Sequence, residues 1–127
     1  MPDQTENQYP REIWQLPEFE CHELNEKTHD YCVCVFVINE NGRLHAQLKK
    51  MQSLNSVIDI VVADGGSTDG SIDMEELGEF GVNTLLVKTG SGKLGAQMRM
   101  AFAWAIDRGY KGIVVIDGNN KDSVEDI

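Results

Sequence analysis

Apolar residues gather along this chain in four blocks, and polar residues fill the gaps. Tyr31–Ile38 is an unbroken β-rich run, and Val57–Ala63 is a second. Neither alternates with period two, which predicts strands buried on both faces. Val82–Val87 and Gly112–Ile116 are two further strand candidates. Between them the spacing changes. Leu44, Leu48 and Met51 recur at helical intervals and predict an amphipathic helix over 42–54. A short helix is expected over 71–79, capped by Asp69 or Ser71. Met98, Ala101, Phe102, Ala105 and Ile106 set the core face of a helix over 93–108, with Gly109 near its C-cap.

The resulting order is β-α-β-α-β-α-β. Apolar strands alternating with amphipathic helices predict an α/β fold. Its sheet is mostly parallel and flanked by helices, in a Rossmann-like arrangement. Residues 1–30 stand outside this alternation. They are polar, with Trp14, Leu16, Pro17 and Phe19 scattered among them. We expect an acidic arm over 1–30, docking through those apolar residues, and a domain over 31–127.

Composition narrows the function. The chain has 127 residues, 41% hydrophobic and 25% charged, enough for one core. Its net charge is −10, and residues 1–30 hold eight acidic against two basic residues. A phosphate backbone needs positive surface, so no nucleic-acid partner is expected. No window approaches 18 apolar residues, and no basic–apolar segment opens the chain. Cys21, Cys32 and Cys34 read as reduced thiols, so the expected location is cytoplasmic. A zinc site from Cys21, His22, His29 and Cys32 lacks a paired C-x-x-C and is the weaker reading.

The candidate chemistry lies where the strands end. Ligands of parallel sheets bind beyond the carboxyl ends of the strands. Four polar clusters fall there: Asn39-Glu40, Asp64–Gly70, Thr89–Gly95 and Asp117–Asp122. Asp64 runs into Gly65-Gly66, which let the backbone approach a ligand or take φ > 0. Ser67, Thr68 and Asp69 can bond backbone N–H groups in the turn. Gly90-Ser91-Gly92-Lys93-Leu94-Gly95 fits G-x-G-x-x-G between a strand and a helix, and Asp117 follows at the next strand end. Alone, that pair of features suggests a dinucleotide-binding oxidoreductase half. A P-loop is ruled out, because Val87 and Leu94 occupy its first glycine and its Ser/Thr position. Either way, a phosphate-tolerant loop opens a helix beside Lys93.

Taken together, the clusters resemble family 2 glycosyltransferases of the GT-A fold. Val35–Glu40 resembles their strand ending in P-x-Y-N-E, and Ile60–Gly70 their V-D-D-G-S-T-D-G. Gly92-Lys93-Leu94-Gly95-Ala96 resembles their G-x-x-G-x-A. Val115–Glu125 resembles L-D-A-D-x-Q-D-P-P-E, the form typical of transferases acting on polyprenyl phosphates. The resemblance covers about 31–127 and implies the N-terminal, donor-binding half of a GT-A fold. It implies a UDP- or GDP-sugar donor bound by Asn39, Glu40, Asp64, Gly66, Ser67, Lys93 and Asp117. Asp64 would contact the base, Lys93 the base or phosphates, and Asp117 the ribose or metal. Asp117 and Asn119 would hold Mg²⁺ or Mn²⁺.

The chain departs from that pattern at several positions. Phe36 and Ile38 replace the Pro and Tyr, Gly65 the second Asp of V-D-D, Asn119 the second Asp of D-x-D, and Lys121 the Gln. Asn119 is a weaker ligand for a hard cation, and Lys121 is expected to supply charge near the diphosphate instead. The family's catalytic base and acceptor site lie after the D-x-D-like segment. The chain alone is therefore expected to transfer little or no sugar, and its cut face to self-associate. A polyprenyl-phosphate acceptor would bring the full enzyme to a membrane surface. A noncatalytic nucleotide-sugar-binding module is the remaining alternative.

Overall fold

The computed structural model describes residues 16–40, 42–70 and 72–117. Five strands form one sheet: β1 (Phe19–Glu23), β2 (Tyr31–Val37), β3 (Asp59–Asp64), β4 (Thr84–Lys88) and β5 (Gly112–Asp117). Their order is β1-β4-β3-β2-β5. The pairs β4/β3, β3/β2 and β2/β5 are parallel, and β1/β4 is antiparallel. The helices are α1 (Gly42–Met51), α2 (Met74–Glu79) and α3 (Leu94–Arg108), with a 3₁₀ segment at Gln52–Ser56 after α1.

The two helical layers explain why β2 and β3 read as continuous apolar runs. Val33, Val35 and Val37 face one way and pack with Leu44, Leu48, Met51 and Leu77 of α1 and α2. Cys32, Cys34 and Phe36 face the other way and meet Met100, Ala101, Trp104 and Ala105 of α3. Successive side chains of a strand point to opposite faces, so a strand covered on both sides has no polar position. Cys32 and Cys34 are fully buried, and the Cys32 side chain together with burial holds the Cys34 thiol well above its usual range. Cys21 lies on β1, with β4 and β3 between it and Cys32 on β2, so the four zinc candidates are not gathered.

The α3 face is turned from the expected one. Its buried residues are Ala96, Gln97, Met100, Ala101, Trp104 and Ala105. Met98 and Phe102 are only partly buried, and Ile106 is 60% exposed. A polar Gln97 and the large Trp104 sit against the sheet, where hydropathy alone would not put the glutamine. The α2 cap also differs. Asp73 accepts from Glu75 N and Glu76 N at 3.0 and 3.3 Å and starts the helix in place of Asp69, while Ser71 lies outside the described residues. Gly109 ends α3 as expected, left-handed at φ 92°.

The expected arm is partly sheet. Within 1–30, Phe19–Glu23 zips onto β4 from Phe19↔Lys88 to Glu23↔Thr84. Leu24 N and Asn25 N then bond Asn83 O at 2.9 and 3.1 Å. The strand is short and carries Glu20, His22 and Glu23, as an edge strand facing water does. Further along, Thr28 and His29 converge on Asp59, which is fully buried at the start of β3. Among the described residues no helix is long and apolar enough to cross a membrane.

Candidate functional site

From β2 the chain moves outward to β3 and β4, then returns to place β5 on the other side of β2. The strand order therefore reverses between β2 and β5. Open α/β sheets leave a crevice outside the carboxyl ends of the strands at such a reversal. A cavity of about 320 Å³ opens at that place, within the size range of small-ligand sites. Glu40, Lys88, Lys93, Gln97 and Asp117 supply its polar lining, and Phe36 and Leu94 much of its apolar lining.

Of the predicted site residues, the fold brings Glu40, Lys93 and Asp117 to this cavity. Asp117 is exposed at the end of β5, in register with Phe36. Glu40 keeps its carboxylate largely shielded and paired with Arg43 Nη2 at 3.3 Å, while its carbonyl accepts from Arg43 N at 3.1 Å. Lys93 is the N-cap of α3, makes no capping bond through its side chain, and is followed by no acidic residue in the first turn. The first N–H groups of a helix lack internal partners and carry partial positive charge. Lys93 and Leu94 set that end of α3 against the cavity.

Asn39, Asp64, Gly66 and Ser67 form the neighbouring turn and do not line the cavity. Asp64 is 2% exposed. Its two oxygens accept from Ser67 N, each at 3.1 Å, and Oδ1 also accepts from Ser67 Oγ at 2.6 Å. Ser67 Oγ in turn accepts from Asn39 N at 2.9 Å. Asn39 Oδ1 accepts from Thr68 N and Asp69 N at 2.8 and 3.1 Å. Asn39 sits at φ 50°, a left-handed conformation that Asn tolerates better than most residues. Through these bonds Asn39, Asp64 and Ser67 tie the β2 and β3 loops together. Asn119, the second predicted metal position, lies outside the described residues, as does Lys121.

No family model, no curated protein and no solved structure matches the chain. The site therefore stands on its own geometry.

The G-x-G-x-x-G loop has structural reasons for two of its glycines. A Cβ on Gly90 would lie 2.8 Å from Glu18 N, because Thr89 N and Gly90 N both bond Glu18 O at 2.9 Å. Gly92 has φ 118°, and a Cβ there would meet Ala96 Cβ at 2.5 Å. Gly95 has no such constraint; its nearest atom to a Cβ is Arg99 Nη1 at 3.4 Å.

Two polar side chains of the lining were not among the predicted ones. Lys88 ends β4, is partly buried, and donates from Nζ to Gly90 O at 2.9 Å. A lysine directly after the apolar run Val82–Val87 is the signal that marks it. Gln97 sends Nε2 to Val37 O at 2.9 Å and Ala63 O at 2.6 Å, across the ends of β2 and β3. No residue pattern announces that bond, since it depends on two strands meeting under one helix. Among the described residues no group of three or more His, Cys, Asp or Glu is placed to hold a metal. Among the described residues the cavity carries two carboxylates, Glu40 and Asp117, and Mg²⁺ is commonly bound through one or two carboxylates together with substrate phosphates.

Proposed function

We propose that the chain is the donor-nucleotide-binding half of an inverting glycosyltransferase, the Rossmann-like N-terminal part of a GT-A fold. One observation carries the reading: a cavity at the reversal of strand order receives Glu40 after β2, Lys88 at the end of β4, Lys93 at the start of α3 and Asp117 at the end of β5. Two lysines and an uncapped helix end suit a diphosphate. Phe36 and Leu94 suit a base or sugar face. The motif order that resembles family 2 glycosyltransferases adds the substrate class, a UDP- or GDP-sugar.

In this reading an acceptor hydroxyl or phosphate attacks the anomeric carbon, and the nucleoside diphosphate departs with the bonding pair. Lys93 and the α3 N-terminus offset the charge gathering on it. A Mg²⁺ or Mn²⁺ held by Asp117, with Asn119 at the second position, would add Lewis-acid stabilisation. Lys121 supplies a further cation in the same segment. A polyprenyl phosphate is the acceptor class that the Val115–Glu125 segment suggests, which would set the site at a membrane surface.

Calorimetric titration with UDP, GDP and NAD, each with and without Mn²⁺, tests the reading. Binding of UDP or GDP in preference to NAD is the expected result, strengthened by Mn²⁺. Binding of NAD alone would replace the reading with a dinucleotide-binding oxidoreductase half. Sugar-nucleotide binding without turnover in a longer chain would instead favour a noncatalytic module.

A further inference from the structure

The cavity contains one buried polar atom that the fold leaves unanswered. Gln97 is 4% exposed, yet it lines the cavity. Both of its amide hydrogens have a strand carbonyl to meet, Val37 O and Ala63 O. That fixes which way the amide points. Turned over, Oε1 would face two carbonyl oxygens with no hydrogen between it and either of them. Oε1 therefore stays on the side of Gly65, where a Cβ would stand 3.1 Å from it. Gly65 lines the cavity as well. Among the described residues nothing donates to Oε1, and it is not among the sealed side-chain atoms that lack a partner. It is an acceptor, rigidly held, reached from the cavity.

We propose that Gln97 Oε1 reads the base of the bound nucleotide by accepting a hydrogen bond from its imino N–H. The proposal rests on the nucleoside-diphosphate reading above. Asp64 and Asn39 also place side-chain oxygens near the β3 end, but Ser67 engages those of Asp64, and Thr68 N and Asp69 N engage that of Asn39. Gln97 thus takes the base-reading role at the point where Gly65 leaves room for its amide. Uracil N3–H and guanine N1–H both supply the required donor. The corresponding ring nitrogen of adenine is an acceptor and would oppose Oε1. A site built around one polar group rejects an analogue lacking its partner, because the group is left unpaired.

The test uses the full chain and five nucleotides: UDP, N3-methyl-UDP, GDP, N1-methyl-GDP and ADP. Whichever of UDP or GDP binds is expected to lose roughly tenfold or more on methylation, and ADP to bind more weakly than it. The Gln97 side-chain amide resonances in a ¹⁵N correlation spectrum should shift with the unmethylated nucleotide. In Gln97→Met the methyl penalty should disappear, which separates a lost hydrogen bond from simple crowding. If that variant does not fold, the amide shift in the wild-type chain makes the same separation. A methylated nucleotide that binds as tightly as its parent overturns the proposal alone. So does a Gln97 amide unmoved at saturation. Failure of both UDP and GDP to bind the folded chain overturns the underlying reading, and this one with it.

Discussion

Tyr110 donates its hydroxyl hydrogen to Asp59 across 2.6 Å, at the end of the sheet opposite the cavity. Around the same carboxylate, Thr28 Oγ1 donates at 3.0 Å and His29 Nδ1 lies at 2.8 Å. Burial opposes ionisation of Asp59, and the bonds from Tyr110, His29 and Thr28 more than offset it, so the carboxyl is held below its ordinary value. Burial and the same bond push the Tyr110 hydroxyl well up, so it remains a donor. A depressed carboxyl stabilises the fold above its unfolded pKa, ~3.9, and loses that stabilisation as pH falls through the folded value. Urea unfolding followed from pH 7 to pH 3 should show this acid loss, and Asp59→Asn should flatten it. Tyr110→Phe should cost roughly 1–3 kcal/mol at pH 7. An unchanged acid slope in Asp59→Asn would assign the loss to other carboxylates.

The segment before Tyr31 belongs to the domain's stability. A chain begun at Tyr31 loses the β1 partner of β4, the Thr28 and His29 donors to Asp59, and the Glu26 O that accepts from Asn83 Nδ2 at 2.7 Å. Its melting temperature should fall by roughly 10 °C or more. Differential scanning calorimetry against the full chain checks this, and equal melting temperatures would reduce the segment to an ornament.

Gly92 is predicted to resist substitution more than Gly70, although both have positive φ. Gly70 has open space around its missing Cβ, whereas Gly92 faces Ala96 Cβ at 2.5 Å. Gly70→Ala carries only the backbone cost, roughly 1–2 kcal/mol. Gly92→Ala adds overpacking of ~1–3 kcal/mol. Chemical denaturation of the two variants side by side ranks them.

Lys93 should matter to ligand binding and little to folding. Its side chain makes no capping bond at α3. Lys93→Gln is expected to weaken UDP or GDP binding several-fold at low salt, less at high salt, with an unchanged urea midpoint. Asp117→Asn should instead remove the gain that Mn²⁺ gives. Calorimetry at two ionic strengths distinguishes the two effects.

Most of the sheet was legible because β2 and β3 are covered on both faces, which leaves short apolar runs rich in β-branched residues. The helices were legible where their buried faces are apolar, as at Leu44, Leu48 and Met51. On α3 the pattern misled, because Gln97 is buried for its hydrogen bonds and Ile106 is exposed. The β1 strand was hidden for a different reason. Phe19-Glu20-Cys21-His22-Glu23 is short and half polar, and its partner Thr84–Lys88 lies far along the chain. At the site, residue types at the strand ends pointed to the carboxyl edge of the sheet, where the cavity opens. They did not separate Asp64, Ser67 and Asn39, which bond one another, from Glu40, Lys93 and Asp117, which face the cavity.

The strand order also dictates when the cavity can exist during synthesis. Strands β2, β3 and β4 neighbour one another in sequence as well as in space. The last wall, β5, pairs residue 112 with residue 31 and so closes the longest loop in the sheet. Such distant pairings are slow to form. Until β5 arrives, the apolar edge of β2 stands open on the nascent chain, an exposed template of the kind that chaperones exist to shield. Asp117, at the tip of that strand, is thus the last of the described lining residues to join the cavity.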